Sequence, residues 1–273
     1  MSYFIHDGHR LHYNVFGEGE PIVLIHGFTN AGLAWMHQIA ALAYSGHQVI
    51  VPDLRGHGLS SPVESKTTVP DLTTDVIALL DHLGMDSATL CGLSLGGMIA
   101  QQAALDHEQR VRRIVVANSR ATFATPELVA AVAGWAELFE QEQGPAKRFR
   151  ATWPVMLNEG FRTSAIGEAT FATWLRLAQR QLGRSLMCVA HGMLEFDVRS
   201  RLADITCPTL VIAGTQDKLF ALDEVRDIAD GIAGAQFEAI DGASHISSLD
   251  SAGAFNIRLL NFLAGTDRQG LSG

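Results

Sequence analysis

Apolar residues fall into two alternating patterns along this chain. Five short unbroken runs, at 22–25 (IVLI), 48–53 (QVIVPD), 88–92 (ATLCG), 113–118 (RIVVAN) and 209–214 (TLVIAG), are rich in β-branched side chains. That length and content suit strands covered on both faces. Between them lie stretches with apolar residues three and four apart, such as DLTTDVIALLDHL at 71–83, which predict amphipathic helices over 32–44, 69–83, 95–105, 223–229 and 247–263. Strands alternating with helices predict a mostly parallel sheet flanked by helices, the α/β class. At the amino terminus, YFI and RLHYNVF around His6-Asp7-Gly8 predict a hairpin.

The alternation stops between 120 and 203. That region has no strand-like run but several helical stretches, and it carries three of the four tryptophans, Trp135, Trp153 and Trp174. It reads as a helical cap inserted into a core domain made of 1–119 and 204–273. Nine lysines and arginines between 147 and 201 read one by one as solvated side chains on helix surfaces, although a substrate with a free carboxylate would require one of them to face the pocket. The tail after Gly265 is expected to fray.

Composition narrows the function. The 273 residues are 47% hydrophobic and 18% charged, enough for a large core, and the net charge of −9 opposes a nucleic-acid backbone or an anionic membrane surface as partner. No apolar run approaches the ~18 residues of a membrane span. Cys91, Cys188 and Cys207 show no metal-ligand spacing and read as reduced, buried thiols, so a cytoplasmic protein without cofactor or metal is expected. Self-association stays open.

The chemistry concentrates at Gly92-Leu93-Ser94-Leu95-Gly96, where a strand pattern ends and a helix pattern begins. A nucleophile held on so tight a turn needs neighbours without side chains, and the turn places its hydroxyl at a helix amino terminus. Ser94 is the candidate nucleophile. A serine hydroxyl needs a base, and the base needs a group that fixes its tautomer. His245 follows the last strand pattern, and Asp217 follows TLVIAG; both fall at carboxyl ends of strands, where open α/β sheets build their sites. Asp223, Asp241 and Asp250 remain alternative acids, reading as helix start, strand end and helix surface. The backbone amides of Leu95 and Phe28, the latter in the turn His26-Gly27-Phe28-Thr29, are the expected oxyanion donors. Asp53 and His57, in the loop DLRGHGLSS, read as structural. His6, His9 and His12 read as exposed, and His82 has no partner pattern.

The motifs HGF, DLRGHGLS, CGLSLGG, GTQD and ASH, in that order, resemble the α/β-hydrolase superfamily over essentially the whole chain. Within it, CGLSLGGM, Asn118-Ser119, PTLVIAGTQD and the stretch from IAGAQFEAIDGASH onward resemble 3-oxoadipate enol-lactonases, which open a small carboxylated enol-lactone in aromatic catabolism. The chain departs from them at His-Gly-Phe, where they carry a Ser-Asn-Ser type turn. The resemblance implies a triad of Ser94, Asp217 and His245 acting on a small carboxylic ester or lactone. Carbon–carbon cleavage of ring-fission products, perhydrolysis and a ligand receptor on the same fold are the alternatives. Trp135, Trp153 and Met156 are candidate substrate contacts, since ligand pockets are mostly apolar.

Overall fold

The computed structural model describes residues 2–267. The expected hairpin is β1 (Ser2–His6) and β2 (His9–Phe16); β3 (Glu20–Ile25), α1 (Met36–Tyr44), β4 (His47–Pro52) and α2 (Val69–His82) follow. Next come β5 (Ala88–Leu93), α3 (Leu95–Asp106) and β6 (Val111–Ala117). Five helices are inserted there: α4 (Pro126–Glu140), α5 (Gly144–Met156), α6 (Glu159–Arg162), α7 (Ala165–Arg180) and α8 (Gly183–Met193). The chain closes with β7 (Thr209–Gly214), α9 (Leu222–Gly231), β8 (Gln236–Ile240), α10 (Ser247–Asp250) and α11 (Ala252–Asp267). The fraying expected after Gly265 falls largely on residues 268–273, outside the described residues.

The eight strands form one sheet in the order β1-β2-β4-β3-β5-β6-β7-β8. Pairing is antiparallel for β1 with β2 and β2 with β4, and parallel from β4 onward. The unbroken apolar runs reflect burial on both faces. Side chains alternate across a strand, so Val23, Ile25 and Leu90 pack with Leu72, Val76 and Ile99 of α2 and α3, while Ile22, Leu24 and Cys91 pack with Leu42, Phe255 and Leu259 of α1 and α11. Each such side chain fully buried contributes roughly 1.5–3 kcal/mol of transfer free energy.

Two predicted helices are divided. The segment 32–44 starts as a 3-10 turn at Gly32–Trp35, where the Gly32 amide donates to the Asp53 carboxylate at 2.7 Å and a Cβ on Gly32 would come within 2.6 Å of Val51. The segment 247–263 breaks at Ser251, whose φ of −135° and ψ of 36° lie off the helical region. The parallel strands all point their carboxyl ends to one side of the sheet, and the turns that follow them carry the residues below.

Candidate active site

β5 ends at Leu93 and α3 begins at Leu95, which leaves Ser94 alone to reverse the chain with φ 54° and ψ −114°. Positive φ is uncommon outside glycine and is held here by the surroundings. The glycines of the motif make the turn fit. A Cβ on Gly92 would collide with the Gly96 carbonyl, one on Gly96 with the Ile25 carbonyl, and one on Gly97 would come within 2.5 Å of the Ser119 Cβ. The Ser94 carbonyl accepts the Ser119 hydroxyl at 2.7 Å, and its amide donates to the Ala117 carbonyl at 2.9 Å, so β6 clamps the turn from the side.

Asp217 follows β7 and His245 follows β8. They meet at 2.8 Å between Nδ1 and Oδ2, with side chains 3% and 2% exposed. If Nδ1 carries the proton, as its carboxylate partner favours, Nε2 is left as the acceptor of the ring. Burial pushes the Asp217 carboxyl up, but His245, the Leu219 amide at 2.8 Å and the Asn118 amide at 3.0 Å outweigh it and hold the group below the usual carboxylate range. The carboxylate is thus charged and oriented. Phe220 sets its ring edge against the His245 imidazole, 5.0 Å between centroids.

Asn118 has no counterpart among the sequence candidates. It sits at the end of β6 with φ 43°, gives its amide to Asp217 and to the Ser244 carbonyl at 3.2 Å, and accepts the Ser247 hydroxyl at 2.5 Å. It therefore bridges the two loops that present the acid and the histidine. The sequence signal is a polar residue directly after an apolar strand run.

The turn after β3 lies beside Ser94: a Cβ on Gly27 would sit 3.3 Å from the Ser94 Cβ. His26 fixes this turn by pairing Nδ1 with the Gly27 carbonyl at 2.8 Å and accepting the Leu54 amide on Nε2 at 3.0 Å. That arrangement needs a neutral ring, and burial does hold His26 below the ordinary imidazole value. Burial, reinforced by His26, also lowers His57 to about 3. Thr29, at φ 63°, is a β-branched residue in the left-handed region. Two groups of the insertion hold it: Gln181 donates to its carbonyl at 3.0 Å, and Arg148 lies 3.3 Å from its hydroxyl. Leu95 begins α3, whose first-turn amides lack intrahelical acceptors.

Ser94, His245, Phe28, Trp135 and Met156 share one cavity of about 270 Å³, with Phe123, Met193, Phe220, Thr152 and Arg148 also in its wall. Trp135 stacks on Phe28 at 5.6 Å, and the Arg148 guanidinium lies 4.3 Å from the Trp135 ring centroid. Trp153 is placed apart. It packs with Phe149, Phe171 and Trp174 inside the insertion and lines a smaller neighbouring cavity with Thr29 and Asn30.

Three bland sequence readings change. His12, expected to be exposed, is buried and pairs with Asp53 at 3.0 Å, because the loop 53–61 folds back over β2 and its Ser60 hydroxyl accepts the His12 amide at 2.9 Å. His82 meets the Tyr13 hydroxyl at 3.0 Å. Asp250 is no free helix-surface residue, since it accepts the amides of Asn158 and Ser244, both at 3.0 Å. Asp241 is exposed beside Thr215 at 3.2 Å, and Asp223 lies in the first turn of α9. Cys91 is buried, whereas Cys188 and Cys207 are partly exposed. Among the described residues, no helix is long and apolar enough to cross a membrane.

Comparison with known proteins agrees with this architecture. The chain is 33% identical over 248 residues to 3-oxoadipate enol-lactonase 2 of Acinetobacter baylyi, covering 90% of each chain. The crystal structure of the enol-lactonase from Burkholderia xenovorans LB400 superposes with a TM-score of 0.89 at 29% identity, covering 96% of this chain and all of that one. A thermophilic esterase from Thermogutta terrifontis, solved with malate bound, gives 0.87 at 26% identity, covering 96% of both chains. Residues 20–252 match the family described as the alpha/beta hydrolase fold. The chain belongs to the α/β-hydrolase family.

Proposed function

We propose that the protein hydrolyses a small carboxylic ester or lactone through an acyl-enzyme formed on Ser94, with His245 as the general base, Asp217 as its orienting acid, and the segment 120–203 as the cap over the site. The observation that carries this reading is the turn at Ser94, strained to φ 54°, in one cavity with a buried histidine whose other nitrogen is tied to a charged carboxylate. The likeness to enol-lactonases and to an esterase supports it.

In the first half-reaction His245 Nε2 takes the Ser94 proton as Oγ attacks the carbonyl carbon. The negative charge on the tetrahedral oxygen is met by the backbone amides of Leu95 and Phe28, the former reinforced by the amino terminus of α3. The imidazolium, stabilised by Asp217, returns its proton to the leaving alkoxide. In a lactone the leaving oxygen stays tethered to the acyl group. Water then repeats the sequence with His245 as base and releases the acid. The apolar wall of Phe28, Phe123, Trp135, Met156 and Phe220 excludes bulk water, which strengthens each of these interactions.

Steady-state turnover of a small aryl ester tests the reading. Ser94→Ala should lower kcat by at least about 10³-fold while circular dichroism and Tm stay close to wild type, because the oxyanion amides remain and only the attacking atom is lost. A variant with near-wild-type kcat would remove Ser94 from the chemistry.

A further inference from the structure

The hydrolysis just described uses Ser94 and His245, and one charged side chain in the cavity wall takes no part in it. Arg148, on α5, is 9% exposed. Among the described residues its buried Nε has no hydrogen-bond partner, and Nη1 reaches only the Thr29 hydroxyl at 3.3 Å. Desolvation lowers it to about 10, so the group is still cationic at neutral pH, and among the described residues it forms no ion pair. Other buried arginines of the chain are paired, Arg55 with Asp75 and Arg120 with Glu224. A buried cation without a counter-ion costs several kcal/mol. The rings of Trp135 and Phe28, 4.3 and 5.4 Å from the guanidinium carbon, offset part of that cost. They also fix the guanidinium in place without consuming its N–H donors.

We propose that Arg148 determines the specificity of the cavity by receiving a carboxylate carried by the substrate, so that the preferred ester or lactone bears a second, free acid group. This rests on the hydrolase reading and deepens it. A carboxylate is the anion that fits. Its two coplanar oxygens match the guanidinium fork, and its single charge equals the one cation present, whereas a phosphate dianion would be left half compensated. The remainder of the wall is apolar apart from Thr152, one helical turn beyond Arg148, so the substrate is expected to carry its acid at one end, a short hydrocarbon body, and the scissile carbonyl at the Ser94 end.

The test uses phenyl hydrogen succinate, glutarate and adipate, each beside the neutral ester in which the free acid is replaced by a primary amide. Wild type should favour the acid over the amide in kcat/KM at one chain length at least, mainly through KM. Arg148→Met should reduce that ratio by about 10-fold or more, equivalent to ~1.4 kcal/mol, and Arg148→Lys should retain part of it. The ratio cancels any loss common to both esters, such as disturbance of the Thr29 turn. Calorimetry with the Ser94→Ala protein supplies a readout that needs no turnover: the acid esters should bind tighter than the amides, and addition of Arg148→Met should remove the difference. If wild type turns over both series with equal kcat/KM and Ser94→Ala binds both equally, Arg148 is not an anion site, although the hydrolase reading stands. If no ester is turned over but the acid forms still bind through Arg148, the hydrolase reading fails and the anion site stands.

Discussion

His245 and Asp217 face each other across 2.8 Å, and His12 and Asp53 face each other across 3.0 Å; both couples join Nδ1 to Oδ2 and both are buried. They differ in what surrounds them. The first lies at the carboxyl ends of two parallel strands and shares a cavity with Ser94. The second lies on the antiparallel flank of the sheet, where Asp53 also accepts the amides of Gly32 at 2.7 Å and Leu59 at 2.8 Å, and where His12 Nε2 has no partner among the described residues. Asp53 ties three stretches of backbone together and His12 serves as one more donor to it. The second pair is a staple; the first is proposed as a frame for chemistry because its histidine shares a cavity with Ser94.

Exchanging each aspartate for its uncharged isostere separates the two roles. Asp217→Asn should lower kcat by roughly 10²–10⁴-fold, because the imidazole loses the partner that fixes its tautomer and stabilises its cation. Asp53→Asn should leave kcat within a few-fold of wild type and instead cost about 1–3 kcal/mol of stability, measured by urea unfolding, because an amide nitrogen would then face backbone donors. Loss of activity without loss of stability in Asp53→Asn would erase the distinction.

A smaller effect sharpens the structural side. His26 and His57 stay neutral in the fold below the pH at which an unfolded chain protonates its histidines, so the unfolded state takes up protons that the folded state refuses. The stability that a neutral His57 permits is whole above about pH 6.5 and falls as pH drops from there toward its folded value of about 3, by ~1.4 kcal/mol per pH unit. Urea unfolding between pH 6 and 4.5 should therefore show a shallower slope in His57→Asn than in wild type, by about that amount. Equal slopes would mean that His57 is not held neutral.

The sheet side of the molecule was legible in the sequence; of the insertion, the helical character was legible and the packing of its helices was not. Strands buried on both faces write themselves as unbroken apolar runs, and the turn at Ser94 demands glycines because a Cβ at 92, 96 or 97 has no room. Asp217 and His245 could be found because a parallel sheet collects the turns after its strands on one side. Asn118 escaped, since its value lies in a φ of 43° and in three contacts to loops distant in sequence. Within the insertion, amphipathic spacing marks the apolar face of each helix without saying which element it covers. Trp153 and Trp135 thus read alike, though only Trp135 reaches the cavity with Ser94. Arg148 was one of nine basic residues on helical stretches, and its burial depends on Trp135 and Phe28, which no local pattern connects to it.

Activation of Ser94 by His245 is tested most directly by covalent capture with a small p-nitrophenyl alkylphosphonate, followed by intact-mass and peptide mass spectrometry. One phosphonyl adduct per chain is expected, on the peptide containing Ser94, with loss of turnover in proportion to labelling and with labelling slowed at least about 10³-fold in His245→Ala. Stoichiometric labelling at another residue, or full turnover from protein labelled at Ser94, would contradict it.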